Sequence, residues 1–179
     1  KDHVSLGTSY LETAKGISPL TIRIAAEHHE KMDGSGYPAG LVGFDISPHG
    51  RMAAIVDVYD AITSDRCYHD ALTPTAAIKK LLEWSDHHLD RSLVDHFVRC
   101  ISIYPIGSLV LLESGRLAAV LEINETEQRL PIVRVMYNTK FNCFIKTELI
   151  DLSKPSVQDR IVKAVDPKEY RIAVQDFIC

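Results

Sequence analysis

Two imidazoles, two carboxylates and a glycine-rich turn share one short run, His28-His29-Glu30-Lys31-Met32-Asp33-Gly34-Ser35-Gly36-Tyr37-Pro38. Neutral histidine is the commonest protein ligand of transition metals, so this density points to a metal centre. Adjacent side chains on a helix point about 100° apart, because a turn holds roughly 3.6 residues. Read that way, His28 and His29 would serve two ions side by side, or one ion and a substrate. A solvated helix end is the plainer reading that a His-His pair also fits. Asp57 and Asp60 form a second candidate set, three residues apart on one helical face and flanked by Ala53, Ala54, Ile55, Val56, Val58, Ala61 and Ile62. A carboxylate in such company needs a cation or an ion-pair partner, since burying it alone is costly. A metal ligand and a salt bridge to Arg51 or Arg66 are the two readings.

The elements that must position these groups follow from periodicity and punctuation. Val4, Leu6, Tyr10, Leu11 and Ala14 give a helical face that runs to about Lys15 and stops at Gly16. Ser18-Pro19 then reads as an N-cap with proline at the first helical position. Residues 22–30 continue as a helix with Ile22, Ala25 and Ala26 on its apolar side, so the histidine pair falls in its last turns. Asp33-Gly34-Ser35-Gly36 breaks that helix, and Pro38 cannot continue it. After a loop over residues 39–48, a long helix is expected over 49–64, with Met52, Ala53, Ile55, Val56, Val58, Tyr59 and Ile62 recurring at helical spacing. Thr73-Pro74 opens another helix to about Trp84, and residues 92–102 form a further one. The second pair, His87-His88, lies between them without a glycine turn or apolar flank and reads as solvated.

Beyond Tyr104-Pro105-Ile106-Gly107 the pattern changes to short β-rich runs at 108–112, 117–123, 132–137 and 143–149, with Gly115, Asn124 and Asn138 at the turns. A short terminal helix is expected near 157–165. The fold class is therefore mainly α: a helical bundle over residues 1–105, followed by a small antiparallel β-rich subdomain over 106–179.

Composition narrows the function classes. A formal charge of −4 without a basic patch argues against a phosphate-tracking nucleic-acid surface. The four cysteines are scattered with no Cys-x-x-Cys pair, as reduced thiols of a cytoplasmic protein are, which excludes a disulfide framework or zinc knuckle. No apolar run is long enough to span a membrane. Lys1-Asp2-His3-Val4 begins mid-element with no initiator methionine, so the chain reads as the latter part of a longer protein.

The ordered set resembles the HD-GYP family, the branch of the HD metal-dependent phosphohydrolases that cleaves cyclic di-GMP. The residues that carry the resemblance are the 28–38 run with its Gly36-Tyr37-Pro38 triplet, Arg51-Met52-Ala53 leading to residues 56–61, Thr63-Ser64-Asp65-Arg66-Cys67-Tyr68, and Ile103-Tyr104-Pro105-Ile106-Gly107-Ser108. It covers residues 1–112 and implies an HD-type bundle. It implies metal ligation by His3, His28, His29 and Asp57, and a phosphate contact from Arg66, with His69 near a position that is basic in many members. Gly36, Tyr37 and Pro38 match the loop that shapes the substrate cleft and docks diguanylate cyclase (GGDEF) domains. The implied cofactors are two or three divalent ions, iron or manganese; the implied product is pGpG or GMP, and a homodimer is an assembly it allows. The family's His-Asp dyad, with the glycine and lysine after it, precedes the histidine matched by His3. This chain has no such segment, and His69-Asp70 stands outside the family's order. The expectation is thus an incomplete catalytic domain that holds one ion, with no catalytic residue assigned. The alternatives are a non-catalytic cyclic di-GMP or protein-docking module, and hydrolysis of another nucleotide, against which the Gly-Tyr-Pro turn argues.

Overall fold

The two serine–proline pairs fix where the central helices begin. The Ser18 hydroxyl accepts the Thr21 N–H at 3.2 Å and Pro19 opens α2 (Pro19–Glu27). The Ser47 hydroxyl accepts the Gly50 N–H at 3.0 Å and Pro48 opens α3 (Pro48–Thr63), so this helix starts by the same device, one residue before the expected position. With α1 (Asp2–Thr13), α4 (Pro74–Trp84) and α5 (Arg91–Ile101) they supply the helical part of the chain. The computed structural model describes residues 2–64 and 71–178. Arg66 and the His69-Asp70 pair lie outside the described residues. The chain divides into two compact units, Lys1–Ala71 with Ala77–Phe97, and Leu72–Ala76 with Val98–Cys179.

In the first unit Val4, Ile46, Ala54, Ile55, Ile78, Leu81, Leu89 and Val94 form the core. The apolar faces read for α1 and α3 are only partly used. Leu6 and Tyr10 are exposed, as are Met52 and Val56, because an apolar stripe is buried only where another element lies against it.

Glu27 ties α2 to the start of α3. Its Oε2 accepts the Ser47 N–H at 2.8 Å, and its Oε1 accepts the Arg23 Nε–H at 3.0 Å. Gly50 makes the approach possible, since a Cβ there would stand 2.5 Å from Glu27 Oε2. Burial pushes the Glu27 carboxyl upward, but the Ser47 hydrogen bonds and the Arg23 guanidinium outweigh it and hold the group below its ordinary value. A carboxyl whose folded pKa is depressed stabilises the fold above its unfolded pKa, and this contribution disappears as pH falls through the folded value. Glu27→Gln should therefore lower the melting temperature at neutral pH, and should lose less further stability than the parent on acidification below about pH 4.5. Thermal denaturation over a pH series reads both effects.

The second unit is a five-stranded antiparallel sheet in the order β4-β3-β2-β1-β5, formed by β1 (Leu109–Leu112), β2 (Arg116–Glu122), β3 (Ile132–Asn138), β4 (Cys143–Asp151) and β5 (Ile161–Ala164). One face buries Val110, Leu112, Val120, Val133 and Val135, and the other Leu109, Leu117, Ala119 and Met136. The terminal helix expected near 157–165 is not there. Residues Ile161–Ala164 are β5, which pairs Val110 with Ala164 and Leu111 with Lys163 along the free edge of β1. The terminal helix comes later and is a single turn, α6 (Pro167–Tyr170), capped by the Asp166 side chain. Helices thus dominate the first unit, while the second is organised by its sheet, so "mainly α" describes only part of the chain. No helix among the described residues is long and apolar enough to cross a membrane.

Candidate metal centre

The helix that carries the histidine pair stops earlier than its pattern implies, and this sets the geometry of the site. α2 ends at Glu27 with His28 as its C-cap, so His29 lies beyond the helix. The two rings are consequently not splayed about 100° apart as in a helix. Their centroids are 4.1 Å apart. His3, from α1, closes the group: its Nε2 stands 3.1 Å from His29 Nε2, and its ring centroid is 5.9 Å from that of His28. One ring nitrogen from each of the three histidines lies within 4.8 Å of the others. Of the two uses open to the pair, two ions or one ion and a substrate, this convergence has room for one cation shared by the three rings.

The protonation chemistry fits a metal. His28 Nδ1 lies 2.9 Å from the Ala25 carbonyl; as a donor there, it leaves the Nε2 lone pair for a ligand. Burial, then the neighbouring His28, and more weakly His3, lower the His29 pKa against the opposing pull of Asp57. His29 is therefore neutral near pH 7, the form that donates a lone pair. Three imidazoles meeting at one point are the donor set of a borderline transition ion, and the residues present fit one.

Asp57 does not join the three-histidine group. Its Oδ2 stands 3.4 Å from His29 Nδ1, on the far edge of the ring from His3. There it can hold the His29 tautomer and orientation, as carboxylates beside metal-ligating histidines do. Its side chain is 43% exposed and Asp60 is exposed too, so neither meets the apolar surroundings expected of it. Arg51 pairs with Asp90 and lies over the Phe44 ring, which removes it as an ion-pair partner for either aspartate.

The turn after the pair is held from beneath. Glu30 is buried, and its carboxylate accepts the Ala39 and Gly40 N–H groups on Oε1 at 2.7 and 3.1 Å and the Leu41 N–H on Oε2 at 3.0 Å. One of the two carboxylates in the 28–38 run is thus structural. The other, Asp33, is exposed and accepts the Ser35 N–H and hydroxyl, which hold its pKa down. Gly36 packs where a Cβ would stand 2.4 Å from Lys31 N and 2.5 Å from Glu30 Cα. The Tyr37 N–H donates to the His29 carbonyl at 3.1 Å, and the Tyr37 ring lies 4.8 Å from the His29 ring. Burial, then the Asp57 charge, raise the Tyr37 pKa, so its hydroxyl stays protonated. Pro38 is exposed.

His88, read from the sequence as solvated, belongs to this neighbourhood. Its carbonyl accepts the Met32 N–H at 2.9 Å, and its Nε2 stands 3.4 Å from Asp33 Oδ2. The only local signal was its place just before Leu89, which is buried, and Asp90, which is tied to Arg51.

Comparison with known proteins gives the same neighbourhood. Residues 1–93 match the family described as HD domain. Over 160 residues the chain is 40% identical to the cyclic di-GMP phosphodiesterase PA4108 of Pseudomonas aeruginosa, covering 89% of this chain and 38% of that protein. It is 40% identical over 104 residues to a cyclic di-GMP phosphodiesterase of Vibrio cholerae, covering 55% of this chain and 21% of the relative. It is also 40% identical over 94 residues to the 3'3'-cGAMP-specific phosphodiesterase 2 of that organism, covering 52% and 18% respectively. The chain therefore spans well under half the length of these relatives. With a family match across its helical unit and the Gly36-Tyr37-Pro38 turn packed against its histidine cluster, the chain belongs to the HD domain family, in the HD-GYP branch.

Proposed function

We propose that this chain forms part of a metal-dependent phosphodiesterase that hydrolyses cyclic di-GMP to pGpG or GMP. The observation that carries the reading is the convergence of His3, His28 and His29 from two separate segments beside Tyr37. The names of the relatives in Pseudomonas aeruginosa and Vibrio cholerae supply the substrate class.

His3, His28 and His29 would hold the ion, with Asp57 fixing His29 from its Nδ1 edge. A divalent ion there, iron or manganese, supplies a Lewis acid that acidifies water and takes up negative charge on a phosphate oxygen. His28, anchored through Nδ1 to the Ala25 carbonyl, keeps its ring fixed during turnover. Glu30 holds the backbone of residues 39–41, so the Tyr37 side of the cleft is built on a rigid turn. Arg66 is assigned to a phosphate of the dinucleotide, a role that suits a planar, permanently charged guanidinium. Two or three ions would need ligands beyond these three histidines, and the Asp57 carboxylate stands 3.4 Å from His29 Nδ1. The exposed Pro38 side of the Gly-Tyr-Pro turn is the docking face for a diguanylate cyclase domain. Scattered cysteines, of which Cys100 and Cys143 are free and exposed, support a cytoplasmic setting. Residues 1–105 form the HD portion, and a homodimer is the assembly assigned.

A second substrate has support of its own, since the 3'3'-cGAMP-specific relative matches this chain at the same 40% identity. The test is incubation of the manganese- or iron-loaded full-length protein that contains this chain with each cyclic dinucleotide and chromatography of the products. The reading expects linear dinucleotide or mononucleotide to appear, faster from cyclic di-GMP, and to stop on addition of a strong chelator. Turnover that persists in chelator overturns the metal assignment. A metal-retaining full-length protein that cleaves neither substrate overturns the enzyme reading in favour of a non-catalytic module.

A further inference from the structure

Two elements that touch the histidine run are joined to each other by a buried ion pair with no role in the chemistry above. α3 reaches the run through Asp57, whose Oδ2 stands 3.4 Å from His29 Nδ1. The segment between α4 and α5 reaches it through His88, whose carbonyl accepts the Met32 N–H at 2.9 Å and whose Nε2 stands 3.4 Å from Asp33 Oδ2. Arg51, less than two turns before Asp57 on α3, donates through Nη1 to Oδ2 of Asp90, just beyond His88 and Leu89. The two side chains are only 12% and 10% exposed, so water screens the pair little. Asp90 is engaged at both oxygens, since its Oδ1 accepts the Leu93 N–H at 3.2 Å and caps α5. The contacts close a circuit: from His29 to Asp57, along α3 to Arg51, across to Asp90, and back through His88 to Met32.

We propose that Arg51 and Asp90 are positioning residues, which set the 86–90 segment, and through it the turn at residues 28–38, against α3; for the reaction they serve, this rests on the phosphodiesterase assignment. A buried pair of this kind is a poor stabiliser, because the cost of taking two charges out of water largely cancels their attraction. Here the balance is worse still, since Arg51 Nε is buried without a hydrogen-bond partner among the described residues. Apolar contact alone can hold α3 on α5, as the Tyr59 and Phe97 rings do further along the same helices, 5.3 Å apart. What the pair adds is direction. A planar guanidinium meets a carboxylate in a set orientation, whereas apolar surfaces tolerate sliding. Neither Arg51 nor Asp90 belongs to the three-histidine group, so both act through Asp57 and His88. A displacement of about 1 Å arising away from the reacting atoms can cost up to about 100-fold in rate.

The experiment compares the full-length protein that contains this chain with a double variant, Arg51→Met with Asp90→Asn, which leaves no unpaired buried charge and keeps an oxygen to cap α5. Hydrogen exchange in the peptide spanning residues 28–38, followed by mass spectrometry in the presence of chelator, reads the Met32 amide without metal or substrate. Exchange there is expected to be about tenfold faster in the double variant, and kcat for cyclic di-GMP about tenfold lower with KM within about twofold. The melting temperature should stay within about 3 °C of the parent, because the pair contributes little net stability. Arg51→Lys, which keeps the charge and loses the planar fork, should shift exchange and kcat less in the same direction, and it carries the test if the double variant does not fold. Exchange and kcat that both match the parent overturn the proposal. So does a melting temperature that falls in step with them, since the pair would then be a plain structural contact. The two readings fail separately: faster exchange in a protein that cleaves no cyclic dinucleotide refutes only the phosphodiesterase assignment. A protein that cleaves cyclic di-GMP while the variants leave its exchange untouched refutes only the positioning role.

Discussion

Replacing His29 with alanine in the full-length protein is expected to strip it of bound manganese or iron and to lower cyclic di-GMP turnover by more than about 100-fold, the upper end of what losing a merely orienting partner costs. The reason is its position between His3, His28, Asp57 and Tyr37. Its Nε2 faces His3 at 3.1 Å, its Nδ1 faces Asp57 at 3.4 Å, and its ring lies 4.1 Å from His28 and 4.8 Å from Tyr37. Without it, His3 and His28 are left with ring centroids 5.9 Å apart and no third nitrogen between them. Elemental analysis after gel filtration, alongside product chromatography, gives both readouts. Asp57→Asn in the same experiment should retain more metal than His29→Ala, because Asp57 touches the ring from outside the three-histidine group. If His29→Ala kept its metal, the cluster would not be the binding site.

Gly36→Ala is expected to cost roughly 3 kcal/mol of stability and to disorganise the Tyr37 side of the cleft. The added Cβ would stand 2.4 Å from Lys31 N, 2.5 Å from Glu30 Cα and 2.7 Å from Glu30 C. All three are backbone atoms, so no side chain can swing away to relieve the overlap. Opening the turn breaks the Tyr37 N–H bond to the His29 carbonyl and pulls Glu30 from the three N–H groups that it satisfies. Gly7→Ala is the control. Nothing lies within 4 Å of a Cβ at that position in α1, so alanine there should be neutral or stabilising by up to about 1 kcal/mol, as in any open helix interior. Chemical denaturation of both variants reads the difference, and equal effects would contradict the packing argument.

These residues also show how far the sequence could be read. Ser18-Pro19 marks its helix start because the cap is local chemistry, and Ser47-Pro48 is the same signal at the end of a glycine-containing loop. The direction of His28 and His29 could not be read, because it depends on α2 ending at Glu27 and not three residues later. A shift of less than one turn changes two divergent ligands into a convergent pair. His88 was invisible for a different reason: it meets Asp33 and Met32 through contacts some 55 residues apart in sequence, which no local pattern encodes. β5 shows the same limit. Four residues with two β-branched side chains make a strand only because β1 offers an unpaired edge. The resemblance supplied the order of the motifs, whereas the role of Glu30 as a backbone clamp and the place of Asp57 outside the histidine group came from distances.

X-ray absorption at the metal edge of the manganese-loaded chain bears most directly on whether imidazoles from two segments grip the ion. Outer-shell scattering from at least two histidines, lost in His29→Ala, is the predicted result. An oxygen-only shell in the unmodified chain would contradict it.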